Sequence, residues 1–218
     1  MSGTCDDRVD TGTDDADEEG DDQVYSGVNV TAVMSDPNPA FLSTALHRFH
    51  NGPFPPQGSI ITAAYLEMYL FFLPWDDANL DIFAEANASP ATVVEVNLNI
   101  TSRPRTIESV PWVADGIAAG GIGWYQTPSI VSVVQELADV YDIEAIAFIL
   151  KPRIDIVRDL TVYSWNYPVP AVGTYGARLH LEWIDGPPSY VPSYLRRYAP
   201  LWRLMYKRDW PSAALPSG

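Results

Sequence analysis

The stretch HRFHNGPFPPQGSIITAAYLEMYLFFL, residues 47–73, decides the fold. It reads as a strand, a rigid turn rich in proline and glycine, and a long buried strand. From Ile60 onward the even positions Ile60, Thr62, Ala64, Leu66, Met68, Leu70 and Phe72 share one face, because strand side chains alternate with a period of two. Tyr65, Glu67, Tyr69 and Phe71 share the other. One face is core and the other is mixed, which suits an antiparallel sheet in a sandwich; a parallel sheet would be apolar on both sides. Pro53, Pro55, Pro56 and Gly58 stop the first strand, since proline has no N–H to give to a ladder.

Outward from this stretch the chain reads as short strands separated by turns. Residues 24–33 predict a strand that ends at Ser35-Asp36-Pro37-Asn38-Pro39, and residues 41–49 predict the next. Residues 80–86 alternate again. So do residues 92–100, where Val94, Val96, Leu98 and Ile100 oppose Glu95, Asn97 and Asn99 and predict a strand with one wet face. Further strands are expected over residues 145–151, 160–165 and 177–184, the last with Leu179, Leu181 and Trp183 inward and Arg178, His180 and Glu182 outward. Ile130, Val133, Val134, Leu137 and Tyr141 recur at helical steps after Pro128-Ser129, so one short amphipathic helix interrupts the strands. The pattern predicts an all-β fold: an antiparallel, jelly-roll-like β-sandwich of about eight to ten strands with one short helix and extended N- and C-terminal arms.

Composition bounds the rest. With 218 residues, 47% of them apolar and 12% aromatic, the chain supports one large core. A net charge of −15 argues against a general binder of phosphate backbones, so no nucleic acid partner is expected. Cys5 is the single cysteine, which excludes an intrachain disulfide and a cysteine-type zinc site. The opening MSGTCDDRVD has no basic-then-apolar leader and no apolar run reaches membrane-spanning length, so synthesis in a cytoplasm without a Sec signal is expected.

Charge falls in three blocks that set the expected domains. Residues 1–22 hold ten acidic side chains and one basic, and are expected as an acidic arm. Residues 23–186 form the sandwich, and residues 187–218, with five basic side chains and one acidic, a C-terminal arm. Clustered carboxylates over residues 14–22 are hard-cation ligands in principle, but EF-hand spacing and its turn glycine are missing.

Catalytic signals are weak. Gly116, Gly120, Gly121 and Gly123 lack the Gly-Lys-Ser/Thr of a phosphate loop. His47, His50 and His180 lie in or beside strands without metal-ligand spacing, and Asp76, Asp77 and Glu67 have no fixed separation suited to glycoside hydrolysis. No enzyme activity, cofactor or metal is expected.

Arg48-Phe49, Pro56 and the run Ile60-Ile61-Thr62-Ala63-Ala64-Tyr65-Leu66 resemble the opening core segment of DNRLRE-type jelly-roll domains. Residues 124–137, with Val133-Val134-Gln135, are similar to the later strand and short helix of that family, and residues 177–183 to its closing strand. The resemblance spans roughly residues 24–185 and rests on core positions, not on a catalytic motif. It implies two packed antiparallel sheets. Some members bind polysaccharide, and others occur in tailed phages and environmental viruses.

The C-terminal arm adds a pattern of its own. Tyr190, Tyr194, Tyr198, Trp202, Tyr206 and Trp210 are spaced by four, with Arg196, Arg197 and Arg203 among them. Tyr, Trp and Arg are enriched at protein interfaces, so these residues are expected to bind other protein subunits, either capsid or virion proteins or copies of the chain. The expected function is a non-catalytic structural protein of a virion, such as a phage capsid decoration, that docks through its arms; no membrane partner is expected. The alternative is a carbohydrate-binding module in which Trp124, Tyr125, Trp165 or Tyr167 stacks on the rings of a polysaccharide.

Overall fold

The computed structural model describes residues 2–20, 23–27, 30–35, 38, 42–70, 79–113, 121–153, 158–168, 171 and 173–186. Strands β1 (Ser2–Arg8), β2 (Asp15–Glu19), β3 (Val24–Ser26), β4 (Val30–Ser35), β5 (Ser43–Phe49) and β6 (Ile60–Tyr69) come first. They are followed by β7 (Asn79–Ala84), β8 (Val110–Val113), β9 (Trp124–Gln126), helix α1 (Val131–Val140), β10 (Ile146–Pro152), β11 (Arg158–Tyr163) and β12 (Arg178–Ile184). One antiparallel sheet, sheet A, has the order β1-β12-β6-β9. The other, sheet B, has the order β11-β4-β5-β10-β7-β8, with β2 beside β5 and β3 beside β2. The chain is therefore an all-β antiparallel sandwich with one short helix. Pro111 sits in β8, at the edge of sheet B, where its missing N–H costs no ladder bond.

The main core lies between the sheets and includes Leu66, Met68, Leu70, Ile82, Phe49 and Phe148. Phe49 and Phe148 meet edge to face with centroids 6.0 Å apart, and burial of each such side chain is worth about 1.5–3 kcal/mol. The even positions of β6 are buried from Ala64 to Leu70, as the alternation predicts. At the start of the strand the phase is reversed: Ile61 is buried while Ile60 and Thr62 are exposed. The cause is a register shift, in which Glu182 pairs with Ala63 but Trp183 pairs with Ile61, so Thr62 is an extra residue that resets which face is inside.

The centre of sheet B is covered on both faces. Strand β10 shows almost continuous burial because Ile146, Phe148 and Leu150 face the main core while Ala147 and Ile149 face a second cluster. That second cluster joins Ala16, Val24, Leu46, Val93 and Ile100, with Phe83 packed against it. A loop over residues 86–106 closes it.

Residues 92–100 are not the strand their alternation predicts. Val94, Val96 and Leu98 are 50%, 55% and 45% exposed, and Leu98 takes a left-handed φ of 63°. Strand β2, over which this segment lies, already pairs with β3 on one edge and β5 on the other, so it has no ladder to offer. Glu18 satisfies the segment instead, accepting the N–H groups of Ile100 at 2.7 Å and Thr101 at 3.1 Å together with the Thr101 hydroxyl. The strand expected over residues 24–33 is likewise divided, into β3 and β4, with Gly27 at φ 69° directly after β3.

The largest departure is at the N-terminus. Residues 2–19, expected as part of an acidic arm outside the sandwich, supply a strand to each sheet. Strand β1 pairs along its whole length with β12, and β2 pairs with β5. Val9, fully buried, donates its N–H to Ala177 O where the chain crosses from one sheet to the other. Carboxylates can be placed there because each has a particular partner. Asp7 accepts from the N–H groups of Arg8 and Asn51, Asp14 from the Arg48 guanidinium, Asp15 from the Trp165 N–H and Asp17 from the Ser43 hydroxyl. Asp15 Oδ1 also lies 3.0 Å from His47 Nδ1, with both side chains fully buried. Burial, opposed by the Ser43 hydrogen bond and aided by the charges of Glu19 and Asp15, pushes the Asp17 carboxyl up to about 7.

Candidate functional site

The outer face of sheet A concentrates the chemistry. Side chains alternate, so with Cys5, Leu66 and Leu181 inside, the positions between them face outward. Register then sets them in rows across the sheet. Asp6, His180 and Tyr65 form one row; Arg8, Arg178, Glu67 and Gln126 the next; Tyr69 and Trp124 the third. At a strand spacing of about 4.8 Å, the four strands make a face about 14 Å wide.

In the first row His180 stacks on Tyr65 with centroids 4.7 Å apart, and its Nδ1 lies 2.7 Å from Asp6 Oδ1. Partial burial pushes the imidazole down, but hydrogen bonding and charge from Asp6, and then from Glu182, outweigh it and the net shift is upward. In the second row the Arg178 guanidinium carbon sits 3.8 Å from the Trp124 ring centroid, a cation–π contact, and Arg178 Nη1 lies 3.8 Å from Glu67 Oε2. A cleft of about 630 Å³ runs over these rows, lined by Asp6, Asp7, Arg8, Asp10, Asn51, Tyr65, Glu67, Arg178, Leu179 and His180.

The third row ends in an aromatic wall. Tyr69 meets Trp124 edge-on at 5.4 Å and Tyr175 at 4.2 Å, and Tyr163 lies 5.0 Å from Tyr175 and 3.8 Å from Tyr167. All five rings are partly exposed. A hydrogen bond to Tyr167, then burial, pushes the Tyr163 hydroxyl up to about 12. Tyr175 is brought in by a loop that turns at Gly173, φ 84°, whose N–H donates to Trp165 O at 2.6 Å. Arg8 Nη1 donates to Gly173 O at 2.9 Å and ties this loop to β1.

Of the four aromatic residues singled out for sugar stacking, the wall takes in Trp124 and Tyr167. Tyr125 pairs with the buried Met68, packs on the main core and donates its hydroxyl to Gly121 O, so it belongs to the other face. Trp165 also packs on the core. Tyr163 and Tyr175 escape the sequence reading because non-local folds deliver them, whereas Tyr65, Glu67 and Tyr69 share one face by simple alternation. The partner-binding residues expected in the C-terminal arm, Tyr190 to Trp210, lie outside the described residues, as do Asp76 and Asp77.

Asp10, Asp14 and His50 bring three potential ligand atoms within 4.8 Å of one another. The Arg48 guanidinium is already there, 3.0 Å from Asp14 Oδ2 and 3.0 Å from His50 Nδ1, and supplies the positive charge these carboxylates need. His47 and His50 do not act together: His47 is buried between the sheets and His50 is partly exposed beyond the end of β5.

No protein-family model matches this chain, and no curated protein matches it.

Proposed function

We propose that this sandwich is a non-catalytic binding module that holds a carbohydrate on the outer face of sheet A. The observation that carries this is the contiguous wall of Tyr69, Trp124, Tyr163, Tyr167 and Tyr175 beside a polar cleft of about 630 Å³. Aromatic faces receive the C–H surface of a pyranose, while hydroxyl, carboxylate and guanidinium groups take its hydroxyls; such sites join large apolar surface to a few placed polar groups. Docking through terminal arms on a virion has less behind it. One expected arm is built into both sheets, and the other lies outside the described residues.

Calorimetric titration against a panel of oligosaccharides tests the proposal, with Tyr167→Ala and Trp124→Ala as variants. Loss of an aromatic anchor from the binding face is expected to weaken binding about tenfold or more. A panel with no binder, or a binder indifferent to both substitutions, would overturn the proposal.

A further inference from the structure

At the end away from the aromatic wall, the outer face of sheet A begins with two exposed aliphatic side chains. Ile60 in β6 and Ile184 in β12 stand directly opposite each other. They are 42% and 44% exposed while their neighbours Ile61 and Trp183 are buried, so both point outward. A cross-strand pair of isoleucines is stabilised by burial, and here each leaves nearly half of its surface in water.

Beyond this pair the face is acidic. Asp6 and Glu182, both exposed, share a single imidazole: His180 Nδ1 lies 2.7 Å from Asp6 Oδ1 and Nε2 lies 3.4 Å from Glu182 Oε1. One histidine offsets at most one of the two charges. Asp7 accepts from the neutral N–H groups of Arg8 and Asn51, and Asp10 from Asn51 Nδ2, with His50 3.6 Å away. Glu67 stands 3.8 Å from Arg178. Carboxylates thus outnumber the two guanidiniums here, Arg8 and Arg178. A surface that is apolar at one end and acidic beyond it suits a segment that is aromatic and basic.

The chain carries such a segment, and it leaves the sandwich at this spot. Strand β12, an inner strand of sheet A, ends at Ile184 itself. Gly186 lies against the carbonyl of Gly58, where a Cβ would not fit, so the exit is held beside the turn that opens β6. Residues 187–218 follow, with Tyr or Trp at every fourth position from 190 to 210 and five basic side chains against Asp209. The seven residues of β12 span about 23 Å, so a segment of this length reaches any point of the face. It begins three residues after Ile184, which sets its effective concentration at the face on the order of millimolar, well above that of a second copy in dilute solution.

We propose that residues 187–218 fold back over their own sandwich and seat on the outer face of sheet A, with aromatic side chains on Ile60 and Ile184 and basic side chains on Glu182 and Asp6. The wall of Tyr69, Trp124 and Tyr175 lies at the opposite end, beyond the row of Arg178, and is no part of this footprint. The inference goes beyond the carbohydrate proposal and does not rest on it.

The test is limited trypsin digestion of the full chain, with cleavage after Arg196, Arg197, Arg203, Lys207 and Arg208 followed by mass spectrometry. A synthetic peptide of residues 187–218 sets the unprotected rate. Because cleavage follows the undocked population, the segment in the full chain is expected to be cut about tenfold or more slowly than the peptide. Ile184→Thr, which keeps a β-branched residue in the strand, and Glu182→Lys, which reverses the charge, are each expected to restore most of the peptide's rate while the sandwich stays folded by circular dichroism. Added salt is expected to act in the same direction. Cleavage at the peptide's rate in the parent chain would overturn the proposal and leave the face to an outside basic partner. Protection indifferent to both substitutions would overturn it by placing the segment elsewhere, and protection that grows with protein concentration would overturn it in favour of a second copy.

Discussion

Arg103 Nη1 donates to Glu85 Oε2 at 2.8 Å with both side chains more than nine-tenths buried. The same guanidinium donates to the carbonyls of Ala91, Thr92 and Asn99 and to Asn99 Oδ1, so one planar group pins both ends of the loop that covers the second core. A lysine ammonium, with three donors on a flexible stem, cannot reproduce that set. Arg103→Ala leaves the Glu85 charge buried without a cation, with only the Asn87 amide donating to it, at an expected loss of about 3–5 kcal/mol. That corresponds to a fall of about 10 °C in thermal midpoint for a chain of this size. Arg103→Lys is expected to recover less than half of it. Urea unfolding of the three proteins measures this, and unchanged stability in Arg103→Lys would show that the loop does not depend on the guanidinium.

Asp17 gives a stability change of opposite sign. Its carboxyl is pushed from 3.8 up to about 7 in the fold, so the folded chain holds that proton more tightly than the unfolded chain does. Well below its ordinary value of 3.8 the group is protonated in both states and costs nothing. As pH rises toward 7 the unfolded state ionises first, and this group's contribution to stability falls; above 7 the penalty is complete and constant. Asp17→Asn keeps an oxygen for the Ser43 hydroxyl and removes the buried charge. The variant is expected to be about 2–4 kcal/mol more stable than the parent at pH 8 and to converge on it below about pH 3. Denaturant unfolding at the two pH values measures it, and parallel pH profiles would refute the buried-carboxylate account.

Sequence pattern and structure agree where burial is local and two-sided. The alternation Ala64–Leu66–Met68–Leu70, the inward Leu179, Leu181 and Trp183, and the apolar face of α1 with Val133, Val134 and Leu137 are all legible, because one element's own period decides each of them. The acidic stretch 14–19 was illegible for the opposite reason: a run of carboxylates reads as solvated unless its partners are known. Those partners, Arg48, Trp165, Ser43, Ile100 and Thr101, stand far away in the chain. Residues 92–100 misled by having a strand's period without a strand's neighbour. The candidate face was half visible, since Glu67 and Tyr69 follow from alternation and Trp124 and Tyr167 were singled out as aromatic residues. Its Arg8–Arg178 pair depends on the β1–β12 register, which an arm outside the sandwich could never supply.

Gly3 is the register partner of Trp183, and the indole fills the space that a side chain at Gly3 would need. Trp183 is only 7% exposed, so the ring has no alternative position without disturbing the core. Gly3→Ala is expected to displace the indole and cost about 1–3 kcal/mol by overpacking, visible as a changed near-UV dichroism signal and a lower thermal midpoint. Gly58→Ala offers a contrast: that site is open, and its φ of 86° makes the cost one of backbone strain, without any change at Trp183. An unaltered tryptophan signal in Gly3→Ala would mean that the ring does not rest there.

His180 connects the binding face to pH. Its imidazole is shifted upward overall by Asp6 and Glu182, so the folded state favours the charged form. The contribution to stability is complete below the ordinary histidine value and is lost as pH rises through the folded one. Asp6→Asn removes the nearer carboxylate, at 2.7 Å, and leaves burial, which acts in the other direction. The His180 titration followed by NMR is therefore expected to move to lower pH in Asp6→Asn. Tyr65, stacked on the ring at 4.7 Å, should report the same midpoint through its own shifts. A His180 midpoint unchanged by Asp6→Asn would break the link between β1 and β12 on which the arrangement of the binding face depends.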